Sequence, residues 1–323
     1  MSKSASSGKI SVARDYISVA RPDHWGKNIF MLPGAAIAAV IDPEVTASDT
    51  VWLGLGLVST CLIASANYTI NEYLDGAFDQ FHPKKSSRPA AQNRLNGKII
   101  LAQYCLLCAL GLGVASLLNP VFFYASVTLL IMGIIYNVEP IRSKDTPFLD
   151  VLSESFNNPI RLTLGWSAIS TIVLPPVSLL ITYWMGGAYL MATKRYSEFR
   201  SIGDPERAAL YRRSFKYYTE DMLSLSAFFY ALCASLFLGI FLIKYKIEFI
   251  IAFPFFAALF VWYQILANKK DSLAASPEKL YLDPRFMIYV GFLTVLVGVL
   301  SVTEITAIRY LTEHSVLKDI RVE

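Results

Sequence analysis

Apolar runs alternate with short polar segments along almost the whole chain. Nine runs stand out, at roughly 29–42, 51–72, 98–118, 120–136, 148–170, 172–193, 222–243, 246–267 and 285–308. About twenty apolar residues are needed for a helix to cross the hydrocarbon core. The pattern therefore predicts an all-α fold, a polytopic membrane bundle of about nine transmembrane helices. Residues 1–28 read as an N-terminal interfacial segment, 29–308 as one transmembrane bundle and 309–323 as a tail. The first run is short, and either extends backwards through Trp25 or is partly re-entrant. Asn119-Pro120 and Pro175-Pro176 mark tight hairpins. No internal repeat or low-complexity linker is evident.

Composition agrees with one membrane bundle rather than several soluble domains. The chain has 323 residues, 54% of them hydrophobic and 17% charged, with a mean hydropathy of +0.45. The Ser-rich, basic N-terminus lacks a signal-peptide pattern, because the first long apolar run starts only near Ile29. A net charge of +4 is modest, but its distribution is not: 23 of the 29 Lys and Arg fall on one side of a nine-span arrangement. The positive-inside rule places that side, with the N-terminus and the long loops, in the cytoplasm. Cys61, Cys105, Cys108 and Cys233 all lie in apolar runs, so the formal C-x-x-C at 105–108 reads as core packing. His24, His82 and His314 are scattered. No zinc-ligand spacing, catalytic triad, P-loop or G-x-G-x-x-G occurs, and no interleaved aromatic–basic surface supports nucleic-acid binding.

The chemistry concentrates where the second run ends. Asn67, Asn71, Asp75 and Asp79 recur every four residues, which on a helix forms one nearly straight polar stripe. Two carboxylates one turn apart repel each other. Mg²⁺ relieves that repulsion, and it favours one or two carboxylates plus substrate phosphate oxygens. The plain alternative is a helix exit with solvated acids. His82-Pro83-Lys84-Lys85-Ser86-Ser87-Arg88-Pro89 follows at once. There Lys85 and Arg88 can face a phosphate, or the loop is an ordinary positive-inside one. Arg21-Pro22-Asp23-His24-Trp25-Gly26-Lys27-Asn28 precedes the first run and reads equally as an interfacial anchor.

Two further segments are unusual for a membrane span. Asp150, Glu154, Asn158 and Arg161 share one helical face, and ionisable groups at membrane depth usually face a cavity. Pro159 can kink the helix there. A structural Glu154–Arg161 or Asp150–Arg142 pair is the competing reading. Lys194-Arg195-Tyr196-Ser197-Glu198 ends the sixth run. Its Lys194 and Glu198 form either a routine one-turn pair or part of a phosphate site.

Together these segments resemble the UbiA superfamily of intramembrane prenyltransferases. In finer detail they resemble its branch of decaprenyl-phosphate phosphoribosyltransferases. Arg21-Pro-x-x-Trp25-x-Lys27-Asn28 is similar to that branch's R-P-x-x-W-x-K-N, Asn71 to Pro89 to its acid motif and following H-P-x-K-x-x-R-P, and Lys194-Arg195-Tyr196-x-Glu198 to its K-R-Y-x-E. Glu72 stands where the branch usually has Asp, and Gln80 where it has Arg. Residues 136–150 are longer than the corresponding Y-S-x-x-L-K stretch. The resemblance implies a magnesium-dependent transferase in a bacterial cell membrane, with its active site on the cytoplasmic side. It implies Asp75, Asp79 and Asn71 as the catalytic set, the same three with Glu72 around the metal, and Lys27, Asn67, Lys85, Arg88, Tyr136, Arg142, Arg161, Lys194, Arg195 and Glu198 as substrate contacts. The implied partners are phosphoribosyl pyrophosphate and a polyprenyl phosphate.

Aromatic-prenylating members usually carry a second D-x-x-x-D motif in the region 194–206. This chain has none, which favours phosphoribosyl transfer over prenyl transfer from a polyprenyl diphosphate to an aromatic or other small acceptor. A transporter or scaffold is the third class, for which broken helices and repeats would be the sign.

Overall fold

A computed structural model describes residues 13–81, 85–245, 247–269, 280 and 282–308. The 309–323 tail, the first twelve residues and His82-Pro83-Lys84 lie outside the described residues. The described elements are α-helices joined by 3₁₀ turns, with no strand among them. A 3₁₀ segment, Pro22–Met31, leads into α1 (Leu32–Ile41), so the first helical stretch does extend backwards through Trp25. There follow α2 (Thr50–Asp79), α3 (Gly97–Ala115), α4 (Pro120–Asn137), α5 (Leu149–Ser155), α6 (Asn157–Ile169), α7 (Val177–Ile202), α8 (Pro205–Tyr211), α9 (Glu220–Tyr245), α10 (Phe253–Ala267) and α11 (Pro284–Val302).

Among the described residues, six helical stretches are long and apolar enough to cross a membrane: α2, α3, α4, α9, Ile247–Ala267 and α11. The other three expected spans take different forms. The first is the 3₁₀ segment and α1. The fifth is two helices, α5 and α6, that break at Phe156. Pro159 supplies the reason, because it has no N–H for the carbonyl of Ser155. The sixth is α7, which carries Lys194, Arg195 and Glu198 in its last turns.

Large apolar side chains point outward from the bundle, among them Leu106, Phe228, Leu236, Ile288 and Val295. In water such a surface would be costly, and in lipid it is matched by the solvent. Cys105 is exposed on this outer surface rather than packed in the core, because only one side of α3 meets the bundle. Inside, Met31, Ile63, Phe122, Leu129, Ile160 and Leu164 pack the 3₁₀ segment, α2, α4 and α6 together. Helices approach to backbone contact at Gly165, where an added Cβ would lie 1.9 Å from the Met31 carbonyl oxygen. Small residues allow such approach.

The site's position follows from helix length. At 1.5 Å per residue, the 30 residues of α2 extend about 45 Å, longer than the ~30 Å hydrocarbon core. Its polar C-terminal turns therefore stand at one end of the bundle. The segments that follow α2, α4 and α7 gather there. Asn137 at the end of α4 leads into residues 138–148. Gly203 (φ 69°) caps α7 in the left-handed conformation, and the Asp204 carboxylate then caps α8. A Gly at this position ends the helix without the steric penalty of a side chain.

Candidate active site

The acid stripe faces two different neighbours. Asn67 donates to the Leu129 carbonyl at 2.9 Å, and Asn71 donates to the Asn137 side chain. Asp75 meets Arg142 at 3.0 Å and pairs with Lys144. One step further, Asp79 pairs with Arg88 at 2.9 Å. Glu72 meets Arg21 at 3.4 Å and Arg88 at 3.9 Å. The stripe is thus less straight than the spacing suggested. Each step of four residues adds about 40° beyond a full turn, roughly 120° from Asn67 to Asp79. The lower end consequently faces α4 and the upper end faces the 85–94 loop.

Repulsion between the two acids is relieved here by three cations, Arg142, Lys144 and Arg88. Arg142 is fixed in a left-handed backbone conformation (φ 31°), and also contacts Asp145 at 3.1 Å and the Asn137 carbonyl at 2.9 Å. Burial pulls the Lys144 ammonium down to about 8, with the Asp75 carboxylate working against that shift. The folded state therefore holds this proton less tightly than the unfolded chain. Lys144 costs stability below about pH 8, and the cost disappears as pH rises towards the ordinary lysine value. Lys144→Met should raise the melting temperature of the unliganded protein at about pH 7 and change it little at about pH 10. An equal shift at both pH values would remove the charge as the cause.

A second wall forms around Arg195, which is 1% exposed. Its guanidinium reaches Glu198 at 3.0 Å, Glu154 at 2.5 Å and Asp150 at 3.5 Å. It also donates to the Tyr136 hydroxyl at 3.1 Å, and that hydroxyl donates to Glu154 at 2.7 Å. Asp150 accepts from Tyr218 at 2.7 Å and Ser214 at 3.1 Å. Neither competing ion pair of the sequence reading forms. Glu154 takes Arg195 rather than Arg161, and Arg142 takes Asp75 rather than Asp150, because the break at Phe156 turns α5 towards α7.

Arg195 and Glu198 are therefore committed to each other and to the wall rather than open to a substrate. Lys194, beside them, is drawn by Glu198 and Glu154 and repelled by Arg195 and Lys27. Across the opening, Lys85 pairs with the Tyr211 hydroxyl and lies over its ring at 4.8 Å. Burial lowers the Lys85 ammonium, but Tyr211, Glu198 and Asp79 outweigh it and hold the group above its usual value.

Arg161 is not brought to the acids. It donates to Asn28 at 3.1 Å, and Asn28 donates to the Cys61 sulfur at 3.2 Å. Cys61 precedes Asp75 by fourteen residues in α2, about 21 Å along the helix. Sequence reasoning also passed over Lys144, Asn137, Tyr211, Arg212 and Tyr218. A signal did exist: Tyr211-Arg212-Arg213-Ser214-Phe215-Lys216-Tyr217-Tyr218 is the densest aromatic–basic run in the chain.

Among the described residues no three acidic, His or Cys side chains group as a ready-made metal cage. Asp75 and Asp79 nonetheless fit Mg²⁺ by donor chemistry, which takes one or two carboxylates and completes its shell with water and phosphate oxygens. The Asn71 amide donates through its nitrogen, which leaves its oxygen as a further donor atom for the ion.

The six apolar helices and the polar end they support define an integral membrane protein with a charged cluster at one end of its bundle. Residues 28–303 match the UbiA prenyltransferase family, and the chain belongs to that family. It is 27% identical to nodulation protein NoeC of Azorhizobium caulinodans over 226 residues, 70% of this chain and 71% of that one. It is 27% identical to decaprenyl-phosphate phosphoribosyltransferase of Corynebacterium glutamicum over 216 residues, 66% of this chain and 62% of that one. The fold superposes on a UbiA homolog from Archaeoglobus fulgidus bound to DMAPP and Mg²⁺ with a TM-score of 0.67. That match has 20% identity and covers 90% of this chain and 100% of the other.

Proposed function

We propose that this protein transfers a 5-phosphoribosyl group from phosphoribosyl pyrophosphate to a polyprenyl phosphate at the cytoplasmic face of a bacterial cell membrane, releasing diphosphate. The observation that carries the reading is the second wall. Its three carboxylates are consumed by Arg195, so it offers no second acid pair for a metal–diphosphate clamp. The cations that border it, Lys194 and Lys85, suit a further phosphate. The Corynebacterium relative's name supports the same reaction.

In this reading the C1–O bond to diphosphate breaks and an acceptor phosphate oxygen forms the new bond to C1. The sugar passes through an oxocarbenium-like state. Held by Asp75 and Asp79 with Asn71 and Glu72 in support, Mg²⁺ would neutralise charge on the leaving diphosphate. Arg88, Arg142 and Lys144, now on the acids, lie within reach of phosphate oxygens once a substrate takes the cleft. Lys85 closes the outer side. Lys27 and Lys194 bound the inner side, where the acceptor phosphate would enter, with Arg161 deeper along the same course. The acceptor phosphate is already anionic, so no strong general base is required. Most of the rate gain is electrostatic and comes from cations fixed before reaction.

A second reading is prenyl transfer from a polyprenyl diphosphate to a small acceptor. It is favoured by the Archaeoglobus fold neighbour, which binds DMAPP. The two are separated by giving purified protein radiolabelled phosphoribosyl pyrophosphate, Mg²⁺ and a polyprenyl phosphate, then extracting lipid. Label in the lipid phase that is lost with EDTA supports phosphoribosyl transfer. No lipid label, alongside transfer from a polyprenyl diphosphate to an aromatic acid, overturns it.

A further inference from the structure

The 205–219 region between α7 and α9 places one arginine between the two walls with much of its hydrogen-bonding capacity unused. Arg212 follows α8, and its side chain is 14% exposed. The guanidinium lies beside the Tyr211 and Phe215 rings, 6.0 and 5.8 Å from their centroids. Those rings belong to an apolar cluster with Ala208, Tyr218 and Leu223 that anchors the segment. The arginine is thus held by packing as much as by charge, as guanidinium groups on aromatic faces usually are.

Its polar contacts are long and redundant. One terminal nitrogen, Nη1, is 3.4 Å from the Tyr136 hydroxyl and 3.8 Å from Asp150. Both partners are satisfied by closer groups. Tyr136 has Glu154 at 2.7 Å and Arg195 at 3.1 Å, and Asp150 has Tyr218 at 2.7 Å, Ser214 at 3.1 Å and Arg195 at 3.5 Å. The Arg212 Nε is buried without a hydrogen-bond partner. Among the described residues Nη2 has no hydrogen bond either. A guanidinium presents five donors in a rigid fork, and leaving most of them idle in a buried site is costly.

Arg212 also stands between the two walls. It attracts Glu154 and Glu198 on one side and repels Lys144, the partner of Asp75, on the other. We propose that Arg212 is a phosphate-binding residue, brought over the cleft by the segment after α8, whose idle Nε and Nη2 form a bidentate contact to a substrate phosphate. Planar two-point recognition of a phosphate is the geometry that a guanidinium fork provides and an ammonium does not. The proposal deepens the function above and rests on its claim that the substrates carry phosphate. Diphosphate is released under either transfer reading, so the test does not depend on which donor is correct.

The experiment uses the full-length protein in detergent with Mg²⁺. Pyrophosphate and a polyprenyl phosphate are titrated separately, reading affinity and the ligand-induced rise in melting temperature. Arg212→Gln should weaken one of the two by at least about tenfold, as expected for a lost charged hydrogen-bond pair. Arg212→Lys should fall between Gln and wild type. Weaker pyrophosphate assigns Arg212 to the leaving group, and weaker lipid phosphate assigns it to the acceptor. The unliganded melting temperature should fall less than in Arg195→Met, because Tyr136 and Asp150 each keep closer partners. Both affinities unchanged in Arg212→Gln and Arg212→Lys would overturn the proposal, as would a large fall in unliganded stability with the ligand-induced rise retained. Loss of pyrophosphate binding in Arg212→Gln, with no phosphoribosyl label reaching lipid in wild type, would leave Arg212 assigned and remove only the donor.

Discussion

Asp75→Asn should lower Mg²⁺-dependent turnover by about a thousandfold or more, the several kcal/mol that metal stabilisation of a leaving group supplies. It should also loosen the fold. Arg142 and Lys144 are nearly buried against Asp75, and an amide there leaves two cations facing a neutral group. Removing one partner of such a buried pair costs about 3 kcal/mol or more. Asp79→Asn should match it in turnover but not in stability, because Arg88 retains Glu72 at 3.9 Å. Adding Lys144→Met to Asp75→Asn should then restore part of the melting temperature and none of the activity. Thermal unfolding beside a turnover assay separates the two effects. Wild-type turnover in Asp75→Asn would remove the acid from the site.

The second large effect falls on Arg195, and it is one of stability. The sequence reading placed Arg195 against substrate, yet it is the shared cation of Asp150, Glu154 and Glu198. Arg195→Met removes the nearest cation of three carboxylates, among them Asp150, which is fully buried and keeps only the Arg212 cation at 3.8 Å. The expected cost is about 3–5 kcal/mol for the first uncompensated charge alone. Arg195→Lys should recover little of it, since an ammonium cannot span three carboxylates and a phenol at once. Glu198→Gln in the Arg195→Met background should reduce the loss by removing one stranded charge. Arg195→Met with a wild-type melting temperature and a raised KM would make Arg195 a substrate contact after all.

The Arg195 wall also shows where sequence patterns stop being informative. That Glu154 and Arg195 take part in a polar cluster was legible, because ionisable groups at membrane depth are costly and rarely without purpose. Their roles were not. Asp150, Glu154 and Arg161 share a face only if the helix is continuous, and the break at Phe156 sends Arg161 to Asn28 instead. Pro159 was visible, but which neighbours the two halves would turn towards was not. Arg212 was hidden for a different reason. It lies in a polar connection rich in basic residues, and a positive-inside loop accounts for such residues without assigning any of them a place.

The sequence by itself determined what depends on local periodicity and solvent. Apolar runs near twenty residues predict helices in lipid, Asn119-Pro120 marks the turn that opens one of them, and a four-residue repeat of Asn and Asp sets polar groups along one side of α2. Tertiary structure decided which charge meets which. Asp75 and Lys144 are 69 residues apart, and Lys85 and Tyr211 are 126 apart. No spacing rule links such residues, because their approach depends on how whole helices pack and where one of them breaks. In low-dielectric surroundings that pairing fixes which cations are committed to the fold and which keep unused donors.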